Sequence, residues 1–201
     1  MKLRFVLIVS CLMLVIVGLA SAQTQFSADI STKGPNIPPS QGKMYFGGSK
    51  MRMDNNVQGH ASIMIVDLQR KVADMIMPQQ RMYMEMNYAE FAKPMPDVRT
   101  YDPNNPCAAD TGSTCRKLGT ETVNGRLCDK WEFTGGAGGR RTVWVDKGNH
   151  LPIRTVSSDG NTFDMTNIKE GPQPSSLFQV PAGYQKMDMG DMMQGMQGMQ
   201  R

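Results

Sequence analysis

Residues 50–86 read KMRMDNNVQGHASIMIVDLQRKVADMIMPQQRMYMEM. Met51 and Met53 flank Arg52, Met75 and Met77 flank Ile76, and Met82, Met84 and Met86 alternate with Tyr83 and Glu85. Side chains two apart on a strand point to one face, so this spacing predicts strands that gather thioethers on a single side. The chain holds 19 Met in 201 residues, well above their share in ordinary domains. A thioether face is soft and adaptable. Three readings of it stand open: plain core, the lining of an apolar-ligand cavity, or a soft-metal site.

Outward from that stretch the strand pattern continues. Phe26, Ala28 and Ile30 alternate with Ser27, Asp29 and Ser31, and a Pro-rich loop is expected over 34–42. Strands are expected over 43–46, 50–54, 61–67, 72–77 and 81–86, and later over 118–123, 126–134, 140–146, 151–158 and 162–168, each bounded by turn residues. Between them, 97–117 reads as a long irregular excursion carrying Pro103, Pro106, Cys107 and Cys115. One helical turn is expected near 88–93 and another near 175–178. Ten or eleven short, regularly spaced strands argue an antiparallel, mainly β fold with little helix.

The amino terminus is expected to be a signal peptide over 1–22. Lys2 and Arg4 precede an apolar run from Phe5 to Leu19, and Ala20-Ser21-Ala22 offers a small-residue cleavage site. Lipidation at Cys11 would leave too short an apolar stretch before it. A periplasmic or secreted location follows as an expectation. The mature chain would have 201 − 22 = 179 residues, enough for one β domain over 23–186. Its formal charge would fall from +4 to +2 on losing Lys2 and Arg4. With no long basic cluster, nucleic acid is not expected as a partner, and a monomer is expected.

Three cysteines remain after cleavage. Val123-Asn124-Gly125-Arg126 reads as a two-residue type I′ hairpin, which sets Cys128 opposite Glu121. Cys115 lies six residues further along that strand, ~20 Å away at about 3.3 Å per residue and beyond disulfide reach. Cys107–Cys115 is the preferred pair, with Cys107–Cys128 left open by the loop lengths.

No nucleophile motif, zinc motif or phosphate loop is present, and His60 and His150 both sit beside turn residues. Catalysis is therefore not expected. Residues 187–201 form a Met-, Gly- and Gln-rich stretch expected to be a disordered tail. Met187, Met189, Met192, Met193, Met196 and Met199 are spaced so that two or three thioethers could hold Cu(I), and no other cofactor is expected.

Two parts of the chain carry a family resemblance. The run QGKMYFGGSKMRMDNN…SIMIVDLQRKVADMIMPQQRMYMEM resembles the DUF4412 domain of exported bacterial proteins. The runs LGTETVNGRLCDKWEF, RTVWVDKGNHLPIR and LFQVPAGY resemble the closing half of LolA-like and outer-membrane lipoprotein-sorting proteins. The resemblance implies an incomplete antiparallel β-barrel, a LolA-like half-barrel, whose concave apolar face accepts acyl chains. Its partners would be a hydrophobic ligand or lipoprotein acyl chains, or a protein of the envelope. The expected lining is Met51, Met53, Ile63, Ile65, Met75, Met77, Met82, Met84, Trp131, Phe133 and Trp144. Alternation leaves two possible faces for each strand, so part of this set can be inverted.

Overall fold

In the computed structural model, residues 25–88, 106, 112–136 and 138–187 are described. The signal peptide and the tail beyond Met187 lie outside them. So do Cys107 and the turn expected near 88–93, apart from Tyr88.

Twelve strands form one sheet. They are β1 (Phe26–Gly34), β2 (Ile37–Phe46), β3 (Lys50–Val57), β4 (His60–Asp67), β5 (Val72–Met77) and β6 (Met82–Asn87). The second half comprises β7 (Ser113–Val123), β8 (Arg126–Gly135), β9 (Arg141–Asp146), β10 (Pro152–Ser157), β11 (Thr162–Glu170) and the short β12 (Gln185–Lys186). Their order across the sheet is β12-β6-β5-β4-β3-β2-β1-β11-β10-β9-β8-β7, so two meanders meet where β1 pairs with β11. The sheet does not close: β7 and β12 are its edges. This is the expected unclosed, mainly antiparallel architecture. Among the described residues, the one parallel pairing is β12 against β6.

Turn chemistry sets the registers. Asn124 and Gly125 both take positive φ, 51° and 77°, as a type I′ turn requires. Glu121 accordingly stands opposite Cys128. Gln58 and Gly59 do the same between β3 and β4, with φ of 52° and 88°, and bring Val57 opposite His60. In the β4–β5 turn the Asp67 carboxylate accepts from the amides of Gln69 and Arg70 at 3.0 and 2.9 Å.

The strands differ from expectation in three places. The Pro-rich stretch is the first part of β2, not a loop. Pro38 and Pro39 are tolerated because β3 ends opposite Ser40, so no ladder bond is asked of them on that side. The irregular excursion ends earlier than expected, since β7 already begins at Ser113. A register shift between Lys117 and Gly119 lets the strand continue past a local irregularity. Finally, residues 185–186 add a strand where only the end of the domain was expected.

The main core joins the two meanders. Phe26, Ala28 and Ile30 of β1 pack with Ile153, Met165, Cys128 and Trp144. A second cluster lies under the chain that leaves β11. The 3-10 turn Ser175–Phe178 sets Phe178 and Leu177 against Ile65, Ile76, Ile63, Tyr45 and Tyr83. This strap is tied down by Arg52, whose Nη1 donates to the Leu177 carbonyl at 3.0 Å.

Candidate ligand-binding face

Direct cross-strand partners share a face. The register therefore identifies which residues look the same way across β2–β6. Met44 stands opposite Met53, Met53 opposite Met64, Met64 opposite Met75, and Met75 opposite Met84. Five methionines thus form an unbroken row over five strands. One step along, Phe46, Met51, Val66, Ala73 and Met86 form the adjacent row, and Met77 faces Met82 on the other side of the central row. Every methionine of these strands is half-buried: Met44 packs against the main core, and Met51 and Met64 pack with Phe46 and Tyr88 around the buried Val66, Leu68 and Ala73.

The other side of the same strands is covered. Ile65 is 3% exposed and Ile76 is 0% exposed beneath the strap. Ile63 and Ile65 therefore do not share the methionine face with Met51, Met53, Met75, Met77, Met82 and Met84. The expected set is inverted at those two positions, because a period of two assigns Met64 to one side and its neighbours to the other.

The aromatic residues divide as well. Trp131 pairs with Val143, while Trp144 pairs with Lys130, so the two indoles point to opposite sides of the sheet. Trp144 donates from Nε1 to Glu121 at 3.0 Å, beneath the Lys130 ammonium 4.8 Å from its ring centre. It points away from the methionine face and packs in the main core, which Met44 and Phe46 also join. Register carried from Thr32 through Phe163, Thr155 and Val143 puts Trp131 on the methionine side of the sheet, with Phe133 two residues on. Four strands separate them from Met44. At about 4.8 Å per strand they lie roughly 24 Å away along the sheet. Phe133 is buried with Val143 and Val145, and the Arg141 guanidinium lies 4.5 Å from its ring centre.

Met44, Met64 and Met86 belong to the face and were not in the expected lining. Met64 is hidden in the unbroken apolar run Ile63–Val66, where alternation is invisible. The signal that could have found it is the Gln58-Gly59 turn, whose register pairs Met64 with Met53.

Other features are polar. Two open depressions of about 500 and 370 Å3 are lined by β1, β2 and β11, with Asp29 and Lys43 in both. On the covered side at β5 and β6, Asp74 and Glu85 stand opposite one another. Burial and the Glu85 charge raise the Asp74 carboxyl above its ordinary value. Lys186 of β12 holds Glu85 down by a 2.7 Å hydrogen bond. Among the described residues, no three His, Cys, Asp or Glu side chains converge as a metal centre. Cys128 is a free, buried thiol. Cys107 and Met189, Met192, Met193, Met196 and Met199 lie outside the described residues.

The fold has solved counterparts. An uncharacterized conserved protein from Thermus thermophilus is similar at 11% identity and a TM-score of 0.59, over 82% of this chain and 90% of that one. MucB in complex with MucA(peri) is similar at 15% identity and a TM-score of 0.52, over 84% of this chain. The match spans 58% of the MucB chain, so a large part of that protein has no equivalent in it. A LolA superfamily protein from Nitrosomonas europaea is similar at 12% identity and a TM-score of 0.36, over 78% of this chain and 90% of that one. No curated protein matches the chain. Residues 29–150, on which both the methionine row and the two-residue turns lie, match the model of a domain of unknown function, DUF4412, and the chain belongs to that family.

Proposed function

We propose that the protein is a non-enzymatic binding protein of the cell envelope that holds an apolar ligand, such as an acyl chain, against the methionine face of β2–β6. The carrying observation is the sorting of side chains between the two faces. The strap fills one side, and the other carries a row of half-buried methionines over five adjacent strands beside the small buried cluster of Val66, Leu68 and Ala73. Methionine adapts to ligands of varied shape. Each methylene buried there would contribute ~0.8 kcal/mol. Export after cleavage near Ala22 would bring the protein to where acyl chains need a carrier, and a Cys107–Cys115 disulfide would suit that compartment.

The test is native mass spectrometry, with lipid extraction, on protein purified from the periplasm. A co-purifying lipid is expected, together with its loss in a Met53→Gln/Met64→Gln/Met75→Gln variant that keeps the native circular dichroism. Equal lipid retention by that variant would exclude the face.

A protein partner in the envelope is the second reading. It is supported by the likeness to MucB, which has been solved together with MucA(peri). Crosslinking in intact cells, followed by identification of one reproducible partner lost on disrupting the sheet edge at β7, would favour it over a lipid.

A further inference from the structure

The central methionine row is more uniform than apolar binding requires. On β4 the chain reads Ile63-Met64-Ile65, and on β5 it reads Met75-Ile76-Met77. In both strands isoleucine takes the strap-covered side and methionine the opposite side. Isoleucine suits a strand better than methionine does. Strand formation and hydrophobicity therefore give no reason to replace it at every position of one row. The adjacent row shows what ordinary apolar selection looks like, since it mixes Phe46, Met51, Val66, Ala73 and Met86. What the uniform row alone supplies is a line of thioether sulfurs.

Their placement suits convergence on one ion. Met53, Met64 and Met75 are direct cross-strand neighbours, with Met64 in the centre. Opposed Cβ atoms in an antiparallel pair lie about 4.5–5.5 Å apart. The flexible methionine stem lets the outer two lean toward the central one. Small neighbours make room on the same face: Ser62 lies two residues before Met64 and Ala73 two before Met75. Met44 and Met84 continue the row at either end and can supply a fourth sulfur.

The donor set decides the ion. The flanking side chains on this face are Met51, Asn55, Ser62, Val66, Ala73 and Met77, with no carboxylate, imidazole or thiol among them. Neutral thioethers alone bind hard divalent cations poorly and select soft monovalent ones. We propose that Met53, Met64 and Met75, with Met44 or Met84, form a thioether site for a soft monovalent metal ion, Cu(I) or its analogue Ag(I), on the half-buried methionine face of the sheet. The site is separate from the Met-rich tail and does not depend on the face holding a lipid.

The experiment is an anaerobic Cu(I) competition titration of the full mature chain against a chromophoric chelator. Three variants are compared with the parent protein. In one, Met53, Met64 and Met75 all become Leu, a swap that nearly conserves volume and apolarity. Another carries Met64→Leu alone. The third replaces Met189, Met192, Met193, Met196 and Met199 by Leu. The expected result is one Cu(I) per chain held by the parent and by the tail variant. Affinity should fall at least tenfold in Met64→Leu and beyond detection in the triple variant, with native circular dichroism kept by both. X-ray absorption of the Cu(I) form of the tail variant should show sulfur scatterers only. Undiminished affinity in the triple variant, loss of binding in the tail variant, or nitrogen or oxygen in the first shell would overturn the site. Lipid retention by the Leu triple variant is read separately. Its apolar face persists, so failure of the metal site and failure of lipid binding give different results.

Discussion

The ring of Phe178 lies over Gly47 so closely that a Cβ on that glycine would come 2.6 Å from Cε2 and 2.8 Å from Cζ. Gly47 ends the β2 side of a hairpin, and Phe178 is the buried residue of the 3-10 turn far along the chain. The strap is therefore seated by the absence of a side chain. Gly47→Ala should displace Phe178 and lower stability by about 1–3 kcal/mol, the usual range for overpacking. Pairing it with Phe178→Leu should recover part of that loss, since residues in contact are coupled. Urea denaturation of the four proteins in the cycle measures the coupling. Additive losses would mean the two residues do not touch in solution.

Asp74 gives the protein an acid-side advantage that vanishes toward neutrality. Burial, and then the charge of Glu85 opposite, raise its folded pKa above the unfolded one. The folded state thus binds the proton more tightly. Stability falls as pH rises through the window between the ordinary carboxylate value and the raised folded value, and the loss persists above it. One carboxylate oxygen of Asp74 is buried without a partner, which adds to the cost of the charged form. Asp74→Asn should therefore raise the melting temperature at pH 7 and lose that advantage near pH 3. Scanning calorimetry across this range checks it, and a gain that grows at low pH would refute the assignment.

Asp67 titrates with the opposite sign. Burial pushes its carboxyl up, but the Arg70 amide, the Lys50 ammonium and the Gln69 amide together outweigh burial and hold it below the ordinary value. Its contribution is present at neutral pH and is lost as pH falls through the lowered folded value. In Asp67→Asn, the acid limb of the stability curve should be shallower than in the parent.

Two ion pairs on the sheet should differ in worth. Arg126 holds Asp146 through Nη2 at 2.6 Å and Nε at 2.7 Å, and Asp146 is only 4% exposed. Arg126→Ala would leave a buried carboxylate without its cation and should cost about 3 kcal/mol. Arg116 and Glu132 pair at 2.8 Å, but the Arg116 side chain is 71% exposed. Arg116→Ala should change stability by less than about 1 kcal/mol. Denaturation midpoints at equal m-value decide between them.

Cys128 should be chemically silent in the native protein. It is 0% exposed, and burial followed by the Asp146 charge pushes its thiol up, so little thiolate forms. Iodoacetamide should label it only in denaturant, at a rate that tracks unfolding. Labelling in native buffer would show that the β7–β8 hairpin opens far more readily than its packing indicates.

How far these features were legible from the chain varies element by element. The alternating methionines of 50–86 marked the strands, and Asn124-Gly125 set the β7–β8 register that keeps Cys115 and Cys128 apart. The Pro-rich start of β2 was not legible, because its tolerance depends on where β3 happens to end. The lining of the candidate site was half legible. Met51, Met53, Met75, Met77, Met82 and Met84 share a face as alternation requires, while Ile63 and Ile65 fall on the other.

Local chemistry, then, was sufficient for the mainly β class, the strand spacing and the hairpin turns, since these depend on residues within a few positions of one another. The choice of the face that the strap covers was not local. A strand of period two presents two equivalent sides until something covers one of them. Here the cover is Leu177 and Phe178, anchored to Arg52 across 125 residues of sequence. The join of the two meanders is equally remote, with Ile30 opposite Met165. Contacts this distant leave no periodic trace in the sequence, so only the tertiary structure decided that the isoleucine side, and not the methionine side, would lie beneath the strap.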